Sequence, residues 1–292
     1  MTEQIVIEPR GPFSLQAAAE FGFGQRDATP GRDTINLAFA LDDLEHHAGV
    51  ALHQDADGVV RGELQGGGDP ELVTRQVGRI LSLDADGEAW LALGERDPVL
   101  AQVQAAHPGQ RPVLFHSPYE AAAWSVISAR IQHRQAARIR AELAREHGAT
   151  FALDGEELHA FPLPQRVLEI DAVPGLTDEK VRRLHGVAHA ALDGLLDAGR
   201  LATLDPDEAQ AQVREIRGIG PFYAGLIVVR STGTTDALPG AENRVLPYAG
   251  RLYGDGNGPL TLERYTEIAE RWHPFRTWAT VLIRVHGDRE GW

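Results

Sequence analysis

The stretch Gln212-Val213-Arg214-Glu215-Ile216-Arg217-Gly218-Ile219-Gly220-Pro221-Phe222-Tyr223-Ala224-Gly225-Leu226-Ile227-Val228 decides how this chain folds. It reads as one helix ending at Gly218, a turn of a few residues, and a second helix starting at Pro221. Proline has no amide hydrogen to lose, and its fixed φ suits the first helical position. Gly218 and Gly220 lack a Cβ, so the turn can take positive φ and another group can approach its backbone closely. Ile219 between them is expected to point inward and pin the turn to a core. The free N–H groups at Pro221 and beyond would then face outward with the positive end of the helix dipole, an arrangement that accepts an anion without any lysine. A duplex phosphate fits such a turn. The alternative is an ordinary tight connection, since glycine commonly ends helices.

Helix signals surround this hairpin. Ser117-Pro118-Tyr119-Glu120 has the form of a capping box and opens a long helix through Ile127. Thr177 opens another, with Val181, Leu184, Val187 and Ala188 on one face. Asp205-Pro206-Asp207-Glu208 opens a third, combining a cap, a first-turn proline and acids that complement the dipole. Thr261 caps a fourth, which is expected to break at Pro274 and restart from Phe275 to Val285. Residues 112–292 therefore read as an all-helical domain. Residues 1–111 read as a small α+β domain: alternation at 4–7, 34–39 and 58–64 predicts short strands, and Asp69 with Pro70 opens a helix over 70–81. There is no internal repeat.

Composition narrows the function. The 292 residues suffice for two packed domains, and 43% hydrophobic with 24% charged residues is a globular balance. The chain has no cysteine, which removes disulfides, thiolate metal sites and iron–sulfur clusters. Its 12 histidines, including His46-His47, show no ligand spacing, so no strong metal site is expected. With no apolar run of spanning length and no signal-like start, the expectation is a cytoplasmic protein without a membrane partner. A net charge of -14 argues against nucleic acid at first sight. Its distribution changes that: residues 1–110 hold 18 acidic side chains against 7 arginines, whereas the remainder holds 24 against 21. The second part can still present one basic face, while the acidity of the first keeps the protein soluble.

The hairpin Arg217-Gly218-Ile219-Gly220 and several other segments, in order, resemble the helix-hairpin-helix DNA glycosylases, and within them the bacterial 3-methyladenine glycosylase II branch. Asp236-Ala237-Leu238-Pro239 stands where the family has an aspartate, apolar residues and a proline. The run Arg271-Trp272-His273-Pro274-Phe275-Arg276-Thr277 looks like the family's closing Arg-Trp-x-Pro-Trp-Arg-Ser segment. Pro118-Tyr119-Glu120-Ala121-Ala122 resembles its long-helix start, and Pro12-Phe13-Ser14-Leu15 and Arg79-Ile80-Leu81-Ser82-Leu83-Asp84 its small N-terminal domain.

The resemblance implies an enzyme that extrudes a damaged base from double-stranded DNA into a pocket between helical lobes, since the glycosidic bond is inaccessible in the stack. A carboxylate then stabilises the positive charge left on the sugar and orients water. Counting from the hairpin puts Glu242 at the family's aspartate position, one methylene longer; the other reading of Glu242 is an exposed acid near a helix start. Asp236 is the second candidate, read mainly as a cap. The base pocket is expected around Phe222, Leu226, Trp278 and Arg284. Arg284 replaces a pocket tryptophan: it would pair with Glu242, face a base edge, or serve structure alone. Ile131 or Gln132 is expected to fill the space left by the flipped base, with Arg130, His133 and Arg134 on phosphates; the alternative is a polar turn over a buried Ile131. Lyase relatives carry a lysine where Phe222 stands, and the single lysine here is Lys180, so cleavage without strand nicking is expected. The family's hairpin carbonyls can hold a monovalent cation, so a weak sodium or potassium site is implied there. The expected protein is a monomeric, nucleoid-associated alkylation-repair glycosylase. Two rivals are a lesion-binding protein in which Glu242 and Arg284 neutralise each other, and a protein-interaction scaffold without DNA affinity.

Overall fold

A computed structural model describes residues 3–22, 31–238, 244–254 and 258–292. The first part forms β1 (Glu3–Ile7), α1 (Leu15–Ala19), β2 (Thr34–Ala40), β3 (His47–Gln54) and β4 (Val60–Gly66), followed by α2 (Pro70–Ile80), α3 (Gly87–Arg96) and α4 (Pro98–Ala106). The strands make one antiparallel sheet in the order β1-β4-β3-β2. The second part runs through α5 (Pro118–Ser128) and α6 (His133–His147), a hairpin of β5 (Thr150–Leu153) and β6 (Glu156–His159), then α7 (Pro164–Leu168), α8 (Asp178–Leu192), α9 (Ala198–Thr203) and α10 (Pro206–Val213). It closes with α11 (Pro221–Ser231), α12 (Val245–Tyr253), α13 (Leu262–Ala269), a single 3-10 turn at Glu270–Trp272, and α14 (Arg276–Arg289). No helix among the described residues is long and apolar enough to cross a membrane.

The cap residues act as their types predict. Asp69, Thr177, Asp205 and Thr261 each accept a backbone N–H from the first turn of the helix that follows. Gly287, in contrast, does not stop α14, which continues to Arg289. The glycine is there for packing: a Cβ would lie 2.3 Å from the Tyr248 ring.

Two strand features escape the pattern of alternation. β3 is buried without a break from Ala48 to Leu52, because both faces of the sheet are covered at that point. One face carries α1 and α2. The other receives the β5–β6 hairpin, which interrupts the helical part between α6 and α7 and packs Phe151 and Leu153 against Ala38 and Ala51. Gly49 makes room for this, since a Cβ would fall 2.5 Å from the Phe151 ring. Asp154 and Gly155 turn the hairpin with φ of 48° and 77°, the doubly positive geometry that Asp-Gly favours.

Three larger cores result. One lies inside the sheet layer, and a second gathers α5, α6, α8, α10 and α11 around Trp124, Ile139, Leu184 and Ile227. In the third, α3 and α4 leave the sheet and pack Trp90, Leu93, Leu100 and Val103 against Tyr265, Trp272, Phe275 and Trp278. Buried Asp97 ties this last core together: it caps α4 through the Val99 and Leu100 amides and accepts from Tyr253 Oη (3.0 Å) and Trp272 Nε1 (2.9 Å).

Glu120 carries the junction between sheet and helices. Ser117 Oγ accepts from the Glu120 amide as a capping box requires. The carboxylate does not turn back on Ser117, however; it is 2% exposed and accepts from the Ala40 amide at the end of β2, from Arg140 Nη2 on α6 (2.9 Å) and from His116 Nδ1 (3.2 Å). Burial alone would raise its pKa, but His116 and Arg140 outweigh burial and hold it down at about 2. A depressed carboxyl stabilises the fold above its ordinary value of 4.5, and that stabilisation is lost as pH falls toward 2. Glu120→Ala should cost about 3–5 kcal/mol at pH 7, as expected for removing one partner of a buried ion pair. Chemical denaturation at pH 7, 4 and 3 checks both statements: the gap between wild type and variant should shrink as the pH is lowered.

Candidate nucleic-acid interface

The hairpin joins α10 to α11, and its glycines do separate jobs. Gly218 takes the positive φ, 98°, and a Cβ there would strike Arg183 Cδ at 2.7 Å. Gly220 is extended at φ -87°, ψ 175°, and nothing lies within 4 Å of where its Cβ would be. The first glycine shapes the turn and the second leaves its outer surface open. Ile219 is buried among the α5, α8 and α11 side chains and donates its amide to Ile216 O (3.0 Å). Pro221 begins α11, and no side chain caps that end, so the first amides of the helix point toward open space.

The N-terminal turn of α8 lies against this hairpin. Glu179 accepts from Arg182 Nη2 (3.0 Å) and Arg183 Nε (3.1 Å) and has Arg217 Nη2 at 3.5 Å. Hydrogen bonds from Arg182 and Arg183 lower the Glu179 pKa. Arg217, at 84% exposure, is the outermost of the three cations. The next residue, Lys180, reaches the other way and donates Nζ to Ile127 O (2.7 Å) at the end of α5; burial, then Arg183, lower its pKa. In the sequence Thr177-Asp178-Glu179 reads only as a helix start. The spacing of Glu179 three and four residues before Arg182 and Arg183 was the available signal for the ion cluster.

Lys180 thereby holds the last turn of α5, just before the turn expected to carry the wedge. Arg130 sits in that turn with φ of 58°, exposed, and Gln132, His133 and Arg134 are exposed beside it at the start of α6. Ile131 is half-buried against the helical core. His133 packs edge-on to Trp124, which orients the first turn of α6.

Phe222 follows the hairpin at 67% exposure, its ring edge-on to Tyr223 at 5.3 Å. Leu226, one turn on, is half-buried against the core. Trp278 is elsewhere: 3% exposed, it packs edge-on to Trp90 and tilted against Phe275, with the buried Arg111 guanidinium 5.6 Å from its ring. It is a core side chain and not a pocket wall. Arg284 faces Asp288 Oδ2 at 3.5 Å, and Asp288 also accepts from Tyr248 Oη (2.8 Å). Asp236 is committed to structure, accepting from the Arg276 amide (3.2 Å) and Nε (2.9 Å), with His273 Nδ1 at 2.6 Å. It holds the start of α14. Glu242 lies outside the described residues, between Leu238 and the start of α12. Among the described residues, no group of three or more His, Asp or Glu could hold a metal ion.

The two hairpin glycines should respond oppositely to a methyl group. Gly218→Ala forces a positive φ on a side chain that also meets Arg183, and should destabilise by about 1–3 kcal/mol. Gly220→Ala enters open space at an allowed φ and should be neutral or stabilise by about 0.4–1 kcal/mol. Thermal melts of both variants read the difference; equal losses would refute this division of labour.

No family model matches the chain. The chain is 30% identical over 276 residues to a Mycobacterium tuberculosis protein named probable bifunctional transcriptional activator/DNA repair enzyme AlkA, covering 92% of this chain and 49% of that protein. It thus spans about half the length of that curated relative. A Bacillus subtilis DNA-3-methyladenine glycosylase is 22% identical over 217 residues, covering 73% of this chain and 71% of its own. The solved structure of a 3-methyladenine DNA-glycosylase from Archaeoglobus fulgidus superposes with a TM-score of 0.76 at 19% identity, covering 98% of both chains. Over most of its length the chain is thus similar to DNA repair proteins named AlkA and DNA-3-methyladenine glycosylase, and it has the fold of the Archaeoglobus glycosylase.

Proposed function

We propose that the protein is a monofunctional DNA N-glycosylase of base excision repair, which flips a damaged, alkylated base out of duplex DNA and hydrolyses its glycosidic bond. The observation that carries this reading is the hairpin itself. A buried Ile219 fixes it, Gly218 turns it, Gly220 leaves its surface open, and α11 presents uncapped amides beside three arginines. On the glycosylase fold such a surface takes a backbone phosphate. The similarity to the Bacillus and Archaeoglobus 3-methyladenine glycosylases supports alkylated adenine as the substrate class.

In this reading Glu242 is the carboxylate that stabilises positive charge on the sugar and orients water. Asp236 has its oxygens engaged by Arg276 and His273, which favours Glu242 of the two. Gln132, exposed at the tip of the α5–α6 turn, is the better wedge, since Ile131 already packs on the core. Phe222 offers an exposed aromatic face to an electron-poor base. The carboxylate of Asp288 beside Arg284 tempers the repulsion that this arginine would exert on a cationic base. Lys180 is held on Ile127 O and an aromatic ring occupies the lyase position, which supports base release without strand nicking. A weak sodium or potassium ion at the hairpin carbonyls is also proposed: backbone oxygen is the donor type that suits a hard monovalent cation, and the positive φ of Gly218 splays the backbone there. The protein is taken to act as a monomer in the bacterial cytoplasm, on chromosomal DNA.

Base release from alkylated duplexes tests the assignment. Glu242→Gln should slow release by about a hundredfold or more while leaving duplex binding intact. Unchanged release would remove Glu242 from the chemistry. Tight lesion binding by the wild type with no release would make the protein a lesion sensor. Gly220→Val, whose side chain covers the open amides, should weaken duplex binding at least tenfold with the fold preserved.

A further inference from the structure

One carboxylate beside the hairpin holds more positive charge than an ordinary surface ion pair. Glu179 uses one oxygen for Arg182 and the other for Arg183, with Arg217 of the hairpin completing the set. Arg183 also crosses Gly218, so the cluster and the hairpin turn are one surface. Two carboxylate oxygens surrounded by three converging guanidiniums present the donors that would also suit the oxygens of a phosphate diester. The cluster is solvent-facing: Arg182 and Arg217 are largely exposed, and neither anchors a core. An ion pair at such exposure contributes little to stability, so the convergence of three arginines asks for another reason.

We infer that Glu179 occupies, from within the chain, a second phosphate position beside the hairpin, and that a DNA phosphate must displace it to engage Arg182, Arg183 and Arg217. The inference rests on the proposed DNA-binding role and adds a regulated contact to it. In the free protein Glu179 keeps the three guanidiniums converged and neutralises part of their charge, which lowers affinity for undamaged duplex. On DNA the carboxylate yields to a phosphate whose oxygens take its place among the three guanidiniums. A protein with net charge -14 would then limit non-specific binding by a built-in anion as well as by overall repulsion.

Fluorescence anisotropy on a short undamaged duplex, titrated across a potassium chloride series, tests this. Glu179→Gln keeps the side-chain shape and removes the charge. It should bind about fivefold more tightly at low salt, with a salt slope steeper by up to about one, the increment for one additional phosphate neutralised. In the triple variant that also carries Arg182→Gln and Arg183→Gln, the gain should vanish and affinity should fall below wild type. Unchanged or weaker binding by Glu179→Gln would overturn the inference, and so would a gain that survives loss of the two arginines. Thermal melts of each variant establish that folded protein is compared. If neither wild type nor variants bind any duplex at low salt, the DNA-binding reading itself fails and takes the inference with it; binding by wild type without a gain in Glu179→Gln removes the inference alone.

Discussion

The carboxylate of Glu120 is the constraint on which the rest of the structure hangs. It begins α5, receives the last amide of β2, and holds Arg140 on α6. The two helices that flank the exposed turn at Arg130 to Gln132 are therefore fixed near one buried charge. An uncompensated carboxylate in that position would be costly, and His116 with Arg140 is what makes it tolerable. At its far end α5 gives the Ile127 carbonyl to Lys180, and α8 in turn lays Arg183 across Gly218. The path from sheet to hairpin thus runs through polar contacts of specific geometry, set within an apolar core that is less particular about direction.

This arrangement separates two demands on the candidate site. The hairpin must be rigid, and buried Ile219 with the Gly218 turn supplies that from within the core. In the proposed function the turn at Arg130 to Gln132 would project a side chain into a duplex and so must stand at a fixed distance from the hairpin. Lys180 links the two, which gives the lone lysine of the chain a structural use unrelated to Schiff-base chemistry.

Much of the helical frame was legible because its signals are local. Asp69, Thr177, Asp205 and Thr261 are small polar residues whose side chains find amides two or three residues on, wherever the helix later packs. The hairpin was legible for the same reason, since a positive φ and an N1 proline need no distant partner. What escaped depends on packing between remote segments. β3 shows no alternation because the β5–β6 hairpin covers its second face, although Asp154-Gly155 announced a two-residue turn. Glu120 had the spacing of a capping box but found Arg140 and His116 instead. Trp278 stood in a segment resembling a pocket wall, yet its indole is enclosed by neighbouring Phe275 and by Trp90, a residue far back in the chain. Asp236 is a further case: the amide it accepts from is that of Arg276, 40 residues along the chain, so its partner could not be read locally.

The β5–β6 hairpin makes the two parts cooperative. It belongs to the helical part by sequence but buries Phe151 and Leu153 on the sheet, filling the gap that Gly49 leaves. Stripped of residues 1–110, the helical part would present that apolar ribbon, and the buried Glu120 carboxylate, to water. The two parts cannot be separated like beads on a linker. Their shared buried surface couples the sheet to the helices, so the two parts are expected to melt as one unit.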